Sequence, residues 1–433
     1  MSDKLFLGVG RRKITPTVGT CLYGYKPGLE STSVNDDLTS TAFFFKQGDR
    51  CALMLSVTVG SVRDDIIDGI LDTVYKKHGI PRSAAIISAI HTHSAPNTTG
   101  TFGWGDVDVK YCNEIFIPET LAAIDEAVTN VAPVKMAVAS GESRIGINRR
   151  ELRPNNTIHF GQNPWGTFDP QMTVISFVSE NGIPVANMIH YGAHATAAGP
   201  NTEISRDWPG FMTDALESET GAVTAFFNGP EGDVGPRLSN GQTTGGGDIK
   251  YAYELGEWAG RDAISIFKNM GEYHTPLLSS HNGKVEVPLM PRIPLEEAKI
   301  GCEKYKEHTE NIGGQCAKYY REVISSYENG YEEVSHRSFE QNIIRLGDVA
   351  FVAFSFELFS EIGLRIKKES NIPYVLSLSN SNGSSGYFAT EPELCRGGYE
   401  INMTSTSNIQ GYARNADWHI VRNTVENLSK TEE

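Results

Sequence analysis

The stretch from Cys51 to Ile90 constrains this chain most. It runs from an apolar segment of strand length, CALMLSV, through RDDIIDGILDTVYKKHG, to a second apolar segment, AAIISAI. The middle piece carries apolar residues at helical spacing and closes on Lys-Lys-His-Gly, a helix stop. Strand, amphipathic helix and strand in that order predict a βαβ unit, and hence a sheet with helices packed on it. The alternation continues: TAFFFKQ, KMAVAS, MTVISFV, VANMIHY and VTAFFN read as strands, NEIFIPETLAAIDEAVTNV and DIKYAYELGEWAGRDAISIFKNM as helices. Glu180-Asn-Gly-Ile183 between two apolar runs marks a hairpin, so part of the sheet is antiparallel. The predicted fold class is therefore α/β of a mixed α+β kind: a mixed β-sheet core flanked by helices, with residues 1–433 read as one domain.

Residues 294–335 break this rhythm. The segment is polar and helical, with Gly313-Gly314 as the expected turn, and reads as a helical pair inserted at one edge or as a lid over a site. NGQTTGGGDIK, at 240–250, reads as a mobile loop; its glycines lack the spacing and the Lys-Ser/Thr of a phosphate loop. GVGRRK near the start lacks the third glycine of a dinucleotide fingerprint.

The βαβ unit ends on SAIHTHSAP. If Ala84–Ile90 is a buried strand, His91 and His93 point the same way at the edge where open α/β sheets bind ligands. A metal site, a catalytic pair and a polar strand end all fit this placement. A second apolar strand ends in MIHYGAHATAAGP, with His190 and His194, and small residues crowd both ends. Zinc suits imidazole nitrogen and needs a third ligand. Asp207, Glu231, Asp233 and Glu357 are the candidates, and Glu357 stands out because it follows the strand Val349–Ser355 and opens a helix. A carboxylate there is equally explained by the helix dipole.

Composition removes several functions. A net charge of −15 speaks against a nucleic-acid backbone or an anionic membrane as partner. No apolar run reaches membrane-span length. The N-terminal MSDKLFLGVGRRKITP lacks the features of a secretion signal, so the expectation is a cytoplasmic protein. The six cysteines form no CxxC pair and read as reduced thiols, which excludes a zinc ribbon.

Several motifs together resemble the catalytic domain of the neutral ceramidase family, zinc-dependent amidases that cleave an N-acyl bond. LFLGVGRRKITPTVG resembles its N-terminal strand and loop, HTHSAP its HTHSGP segment, and DPQMTVISF the strand before its hairpin. AHATAAGP resembles its second histidine motif and NGPEGDVGP its GDVSP loop. FELFSEIGLRI matches its Gly-Glu-x-x-x-x-x-Gly-x-Arg helix, and GYFATEPELCRGGYE is similar to its tyrosine-bearing segment. The resemblance implies zinc held by His91, His194, Glu357 and Tyr387. It implies that His93 serves substrate and proton transfer, that Arg149 helps hold the substrate, and that Tyr399 stabilises the oxyanion. Gly235 stands where the family carries serine, and the stretch after Tyr399 is too short for the β-sandwich of longer members. The expected activity is hydrolysis of a C–N amide bond in a small soluble N-acyl compound rather than long-chain ceramide, without stable membrane association and with self-association left open. The rivals are a zinc lactone or ester hydrolase and a non-catalytic binding homologue.

Overall fold

The computed structural model describes residues 4–432; residues 1–3 of the stretch read for a leader, and residue 433, lie outside it. The expected strands form. One mixed sheet contains β1 (Leu5–Lys13), β2 (Thr39–Gln47), β3 (Arg50–Val57), β4 (Ala85–Ala89), β5 (Ala132–Glu142), β6 (Gln171–Ser179), β7 (Pro184–Tyr191) and β8 (Val223–Asn228). Their order is β8-β7-β6-β5-β1-β2-β3-β4. The pairs β3–β4 and β7–β8 at the two edges are parallel and the pairs between them antiparallel, as the βαβ unit and the hairpin predicted.

The βαβ helix α1 (Asp64–His78) ends as its sequence indicates. Gly79 takes a left-handed φ of 68° and donates its N–H to the Tyr75 carbonyl, closing the helix. Together with α2 (Ile117–Thr129), α1 covers one half of the sheet's outer face. The helices α3 (Asp207–Thr220) and α4 (Lys250–Lys268) cover the other half. Strand alternation decides which side chain goes where: on β3, Leu53 and Leu55 face the helices while Ala52 and Met54 face inward.

What lies against the inner face is a second sheet, of which the sequence reading identified one strand of four. It comprises β9 (Leu278–Pro288), β10 (His336–Leu346), β11 (Val349–Ala353) and β12 (Tyr374–Leu378), in that order. Phe351, Ile344, Leu346 and Leu376 meet Phe43, Phe45, Phe177 and Phe227 across the interface. Its far side packs on α7 (Ser360–Glu369) and α8 (Ala416–Ser429). The layers are thus helix, sheet, sheet, helix.

The helical pair at 294–335 is present as α5 (Leu295–Tyr305) and α6 (Asn311–Glu328). Its turn is not at Gly313-Gly314. Those glycines lie inside α6, where a Cβ would come within 2.6 Å of His308 and of the Thr309 backbone; they permit close approach of the preceding loop. Asn311, at φ 54°, makes the turn instead. The 240–250 segment is a loop, as expected, up to the start of α4 at Lys250. Gly245 lies against the Ala197 carbonyl, and Gly247 donates its N–H to Ala198 at 2.9 Å, so the loop packs on the segment after His194.

The large sheet is strongly curled. Among the described residues its halves are joined by three residue pairs, Leu5–Leu7 with Ala132–Val134. Beyond them the far edge strand returns toward β3 and β4. Ser56 Oγ donates to the Phe226 carbonyl at 2.6 Å, and Asn228 Nδ2 donates to the Ile90 carbonyl at 3.1 Å. Asn228 Oδ1 also accepts from the Ala193 N–H at 3.3 Å. One buried side chain therefore joins the residues just before His91 and just before His194. Asn228→Ala should leave a buried carbonyl and a buried N–H unpartnered, at about 1–3 kcal/mol each. A lowered urea midpoint, with a weakened metal site, is the expected result; unchanged unfolding would show the link to be dispensable.

Candidate metal centre

Both histidine loops leave strands that end at the seam closed by Asn228. His91 does not continue its strand: β4 ends at Ala89, and His91 takes a φ of 67°. The same-face argument for His91 and His93 thus gives way to a tight turn, which nevertheless brings the two rings together. A non-glycine residue in this left-handed region is uncommon and costs about 1 to 3 kcal/mol, the kind of strain found at functional sites. Here it is held by the His91 N–H donating to Val59.

The ring orientations are fixed from behind. His91 Nδ1 donates to the Gly60 carbonyl at 2.7 Å. His194 Nδ1 lies 2.8 Å from the Glu231 carbonyl and 3.1 Å from that of Val234. Each ring so held turns its Nε2 lone pair inward, as when a carbonyl behind a metal-binding histidine fixes its tautomer. Both Nε2 atoms meet Glu357 Oε2, at 3.4 Å from His91 and 3.1 Å from His194. All three ligand atoms lie within 4.8 Å of one another, in buried positions, and form a set that could hold a metal ion. Burial disfavours the charged carboxylate, but the two imidazoles hold Glu357 well below the usual carboxylate range.

Glu357 does not open the helix itself. It lies on a two-residue strand, Glu357–Leu358, paired in parallel with Tyr387–Phe388, and α7 starts at Ser360. That pairing sets Tyr387 directly beside Glu357. The Tyr387 ring stacks on His194 at 6.4 Å and an interplanar angle of 11°. Arg149 Nη2 donates to its hydroxyl at 3.0 Å. Two imidazoles and a carboxylate expected from the sequence are thus brought together with the Tyr387 ring beside them, and their chemistry fits a divalent ion.

His93 stands beside this set, its Nε2 3.3 Å from His91 Nε2. Tyr23 and Tyr25 present ring edges to it at 5.1 and 5.0 Å. Its Nδ1 is buried without a hydrogen-bond partner, and burial keeps its pKa well below the ordinary histidine value. Gly24 makes the seat possible: at φ 98° it is left-handed, and a Cβ there would come within 2.2 Å of His93 Nδ1.

The other candidates have structural partners. His190 Nε2 meets the Ser377 carbonyl at 2.9 Å between the sheets. Asp207 accepts from the Ala197 and Ala198 N–H groups, both at 2.9 Å, and shapes the loop after His194. Asp233 accepts from the Ser360 N–H at 2.7 Å at the start of α7. Glu231 is fully buried, accepts from Asn380 at 2.5 Å, and is pushed up to about 8 by burial. Gly235 faces Thr243 and the Arg149 side chain, so its missing hydroxyl does not alter the cavity.

One partner was missed. Glu400, wholly buried, accepts from Arg149 Nε at 2.8 Å and from Arg150 Nη1 at 2.6 Å. Two adjacent arginines in NRRE, once buried, require a carboxylate, but nothing in the sequence says which. The Arg149 guanidinium is consequently held behind Tyr387, over the Phe160 ring at 4.9 Å.

Above the ligands opens a cavity of about 330 Å³, walled by Tyr23, His93, Trp104, Tyr387 and Tyr399, with Gln315 and Lys318 of α6. The segment 294–335 therefore contributes directly to the cavity wall.

This geometry and the ordered motifs define a protein of the ceramidase type. The chain matches the family described as "Neutral/alkaline non-lysosomal ceramidase, N-terminal" over residues 5–250, and it belongs to that family. Neutral ceramidase of Pseudomonas aeruginosa is 28% identical over 166 residues, which are 36% of this chain and 24% of that protein. The crystal structure of that enzyme superposes with a TM-score of 0.75 at 19% identity, covering 99% of this chain and 75% of the other. A ceramidase complexed with C2 gives a TM-score of 0.75 at 18% identity, over 98% and 75% of the two chains. Among the described residues no helix is long and apolar enough to cross a membrane.

His91→Ala and His93→Ala should separate. The first removes a ligand and should abolish metal binding. The second should keep most of the metal while turnover falls by roughly 10²- to 10⁴-fold, the range of general acid–base catalysis. Equal metal loss, measured by elemental analysis, would place His93 among the ligands.

Proposed function

We propose that this chain is a zinc-dependent hydrolase that cleaves the C–N amide bond of a small polar N-acyl compound. The observation that carries it is the convergence of His91, His194 and Glu357, with Tyr387 beside them, at the floor of a cavity in a member of the ceramidase family. Zinc bound there supplies Lewis-acid polarisation of the carbonyl and makes water a nucleophile near neutral pH.

The chain's own residues supply the rest. His93, neutral through burial and seated by Gly24, takes the proton from the attacking water and returns it to the departing amine. Tyr399 lines the cavity, with its ring 6.0 Å from that of Tyr387, and directs a phenol toward the developing oxyanion. Such a donor is worth roughly 3 to 4 kcal/mol where measured in other enzymes. Arg149, expected to help hold the substrate, is bonded to both Glu400 and that phenol and does so by setting the hydroxyl's position. We assign the whole chain to one hydrolase domain, with the 294–335 helices as one wall of its site. The polar cavity lining, which includes Thr99, Thr101, Ser384, Ser385, Ser407 and Asn408, supports a polar substrate over a long alkyl chain.

The purified protein should contain about one zinc per chain, lose activity with a chelator and regain it with zinc. Matched amides and esters with short polar groups should then be compared by kcat/KM, together with long-chain ceramide in detergent. Activity untouched by metal removal would end the metal reading. Turnover of esters or lactones but not amides would reassign the reaction, and preference for ceramide would overturn the substrate size.

A further inference from the structure

We propose that the outer wall of the cavity is an anion-recognition subsite, with Lys318 and Arg337 as specificity-determining residues. The substrate is then an amide that carries a carboxylate, or a group of like charge, away from the scissile bond. This rests on the amide-hydrolase reading above.

The chain has 38 basic and 53 acidic residues, yet this one cavity is lined by three cations, Arg63, which is paired with Asp65, and Lys318 and Arg337. Only two carboxylates line it, and both are committed. Glu357 is bonded between the two imidazoles at the floor, and Asp64 Oδ1 accepts from the Ser384 N–H at 3.0 Å. Where Lys318 and Arg337 stand the wall is cationic, and such a patch in a cleft concentrates ligands of the opposite sign.

The two cations are held mainly by uncharged groups. Lys318 sits on α6 one turn after Gln315, which is tied to the Thr406 carbonyl at 2.8 Å, so both lie on the cavity side of that helix. The Lys318 ammonium lies over the Phe102 ring at 5.6 Å and meets Glu322 only at 3.6 Å, a long and solvent-exposed contact. Arg337 is fixed by donating to Asn408 Oδ1 at 2.5 Å and by stacking on Phe339 at 5.0 Å. Both of these contacts are to uncharged groups, and the Arg337 fork has donors beyond the one given to Asn408. A guanidinium and an ammonium lining the same cavity match a carboxylate, which accepts at both oxygens. A neutral substrate would give Arg337 no counter-charge and leave Lys318 with its long contact to Glu322.

The test uses the metal-loaded protein and two series of small amides of graded length. One comprises monoamides of dicarboxylic acids, the other N-acetyl ω-amino acids, and each member is paired with its own carboxamide. The anionic member of at least one pair should have a kcat/KM roughly ten- to a hundredfold above its carboxamide, a difference that shrinks as salt rises. Lys318→Met and Arg337→Gln should each reduce that ratio about tenfold, and Lys318→Arg should keep it. Lys299→Met, on the neighbouring helix outside the cavity, should leave the ratio alone. Binding of glutarate, followed by calorimetry, should weaken in the same two variants. Equal turnover of both members, or a preference that survives the double variant, overturns the inference while leaving the amide hydrolase intact. Glutarate binding that depends on Lys318 and Arg337, with no amide cleaved in either series, supports the subsite and removes the reaction.

Discussion

The site depends on one wholly buried amide. Asn228 ends β8, donates to the carbonyl of Ile90 and accepts from the N–H of Ala193. Its own backbone carbonyl takes the Ser379 N–H, which ties in the second sheet. Strands at opposite edges of an eight-stranded sheet would ordinarily lie far apart. The curl of this sheet, joined at its middle by three residue pairs, lets the far edges meet, and Asn228 closes the seam. Satisfied buried polar groups of this kind specify one arrangement, because any other leaves them unpaired.

Around that seam, a layer of contacts behind the ligands selects their chemistry. Carbonyls of Gly60, Glu231 and Val234 hold the imidazoles in the tautomer whose Nε2 faces Glu357. A buried carboxylate between two imidazoles is costly unless its charge is compensated, and a metal ion is the natural compensation. The arginine pair repeats the principle on the other side. Arg149 and Arg150 share Glu400, so the guanidinium beside Tyr387 is held in place. The strained His91 backbone and the bare Gly24 belong to the same logic, since both trade local comfort for ring placement.

The cavity above the ligands draws on parts of the chain far apart in sequence. Tyr23 and Gly24 come from the first loop, Gln315 and Lys318 from α6, and Tyr399 from a helix near the end. The floor is built from the family's motifs, while the wall contains the polar segment that interrupts the strand–helix rhythm. Floor and wall are thus drawn from different stretches of the chain.

The sequence by itself determined the elements whose signals are local. Apolar runs, the helix stop at Gly79 and the Asn-Gly hairpin are set by backbone sterics and by periodicity within a few residues, and these elements formed where expected. The ordered motifs likewise named His91, His194, Glu357 and Tyr387, which the fold brings together. Several features had no local signal. The second sheet was largely missed because β9, with LSSHNGKVEVP, is polar along much of its length and is defined by its partner. Gly313-Gly314 reads as a turn by composition, yet lies in a helix because a loop must pack against it. His91 and His93 meet through a left-handed turn rather than through strand alternation. Asn228 and Glu400 look like any polar residues until folding removes water from them. Long-range pairing, sheet curl and burial are decided by which distant groups satisfy one another, and only the tertiary structure contains that information.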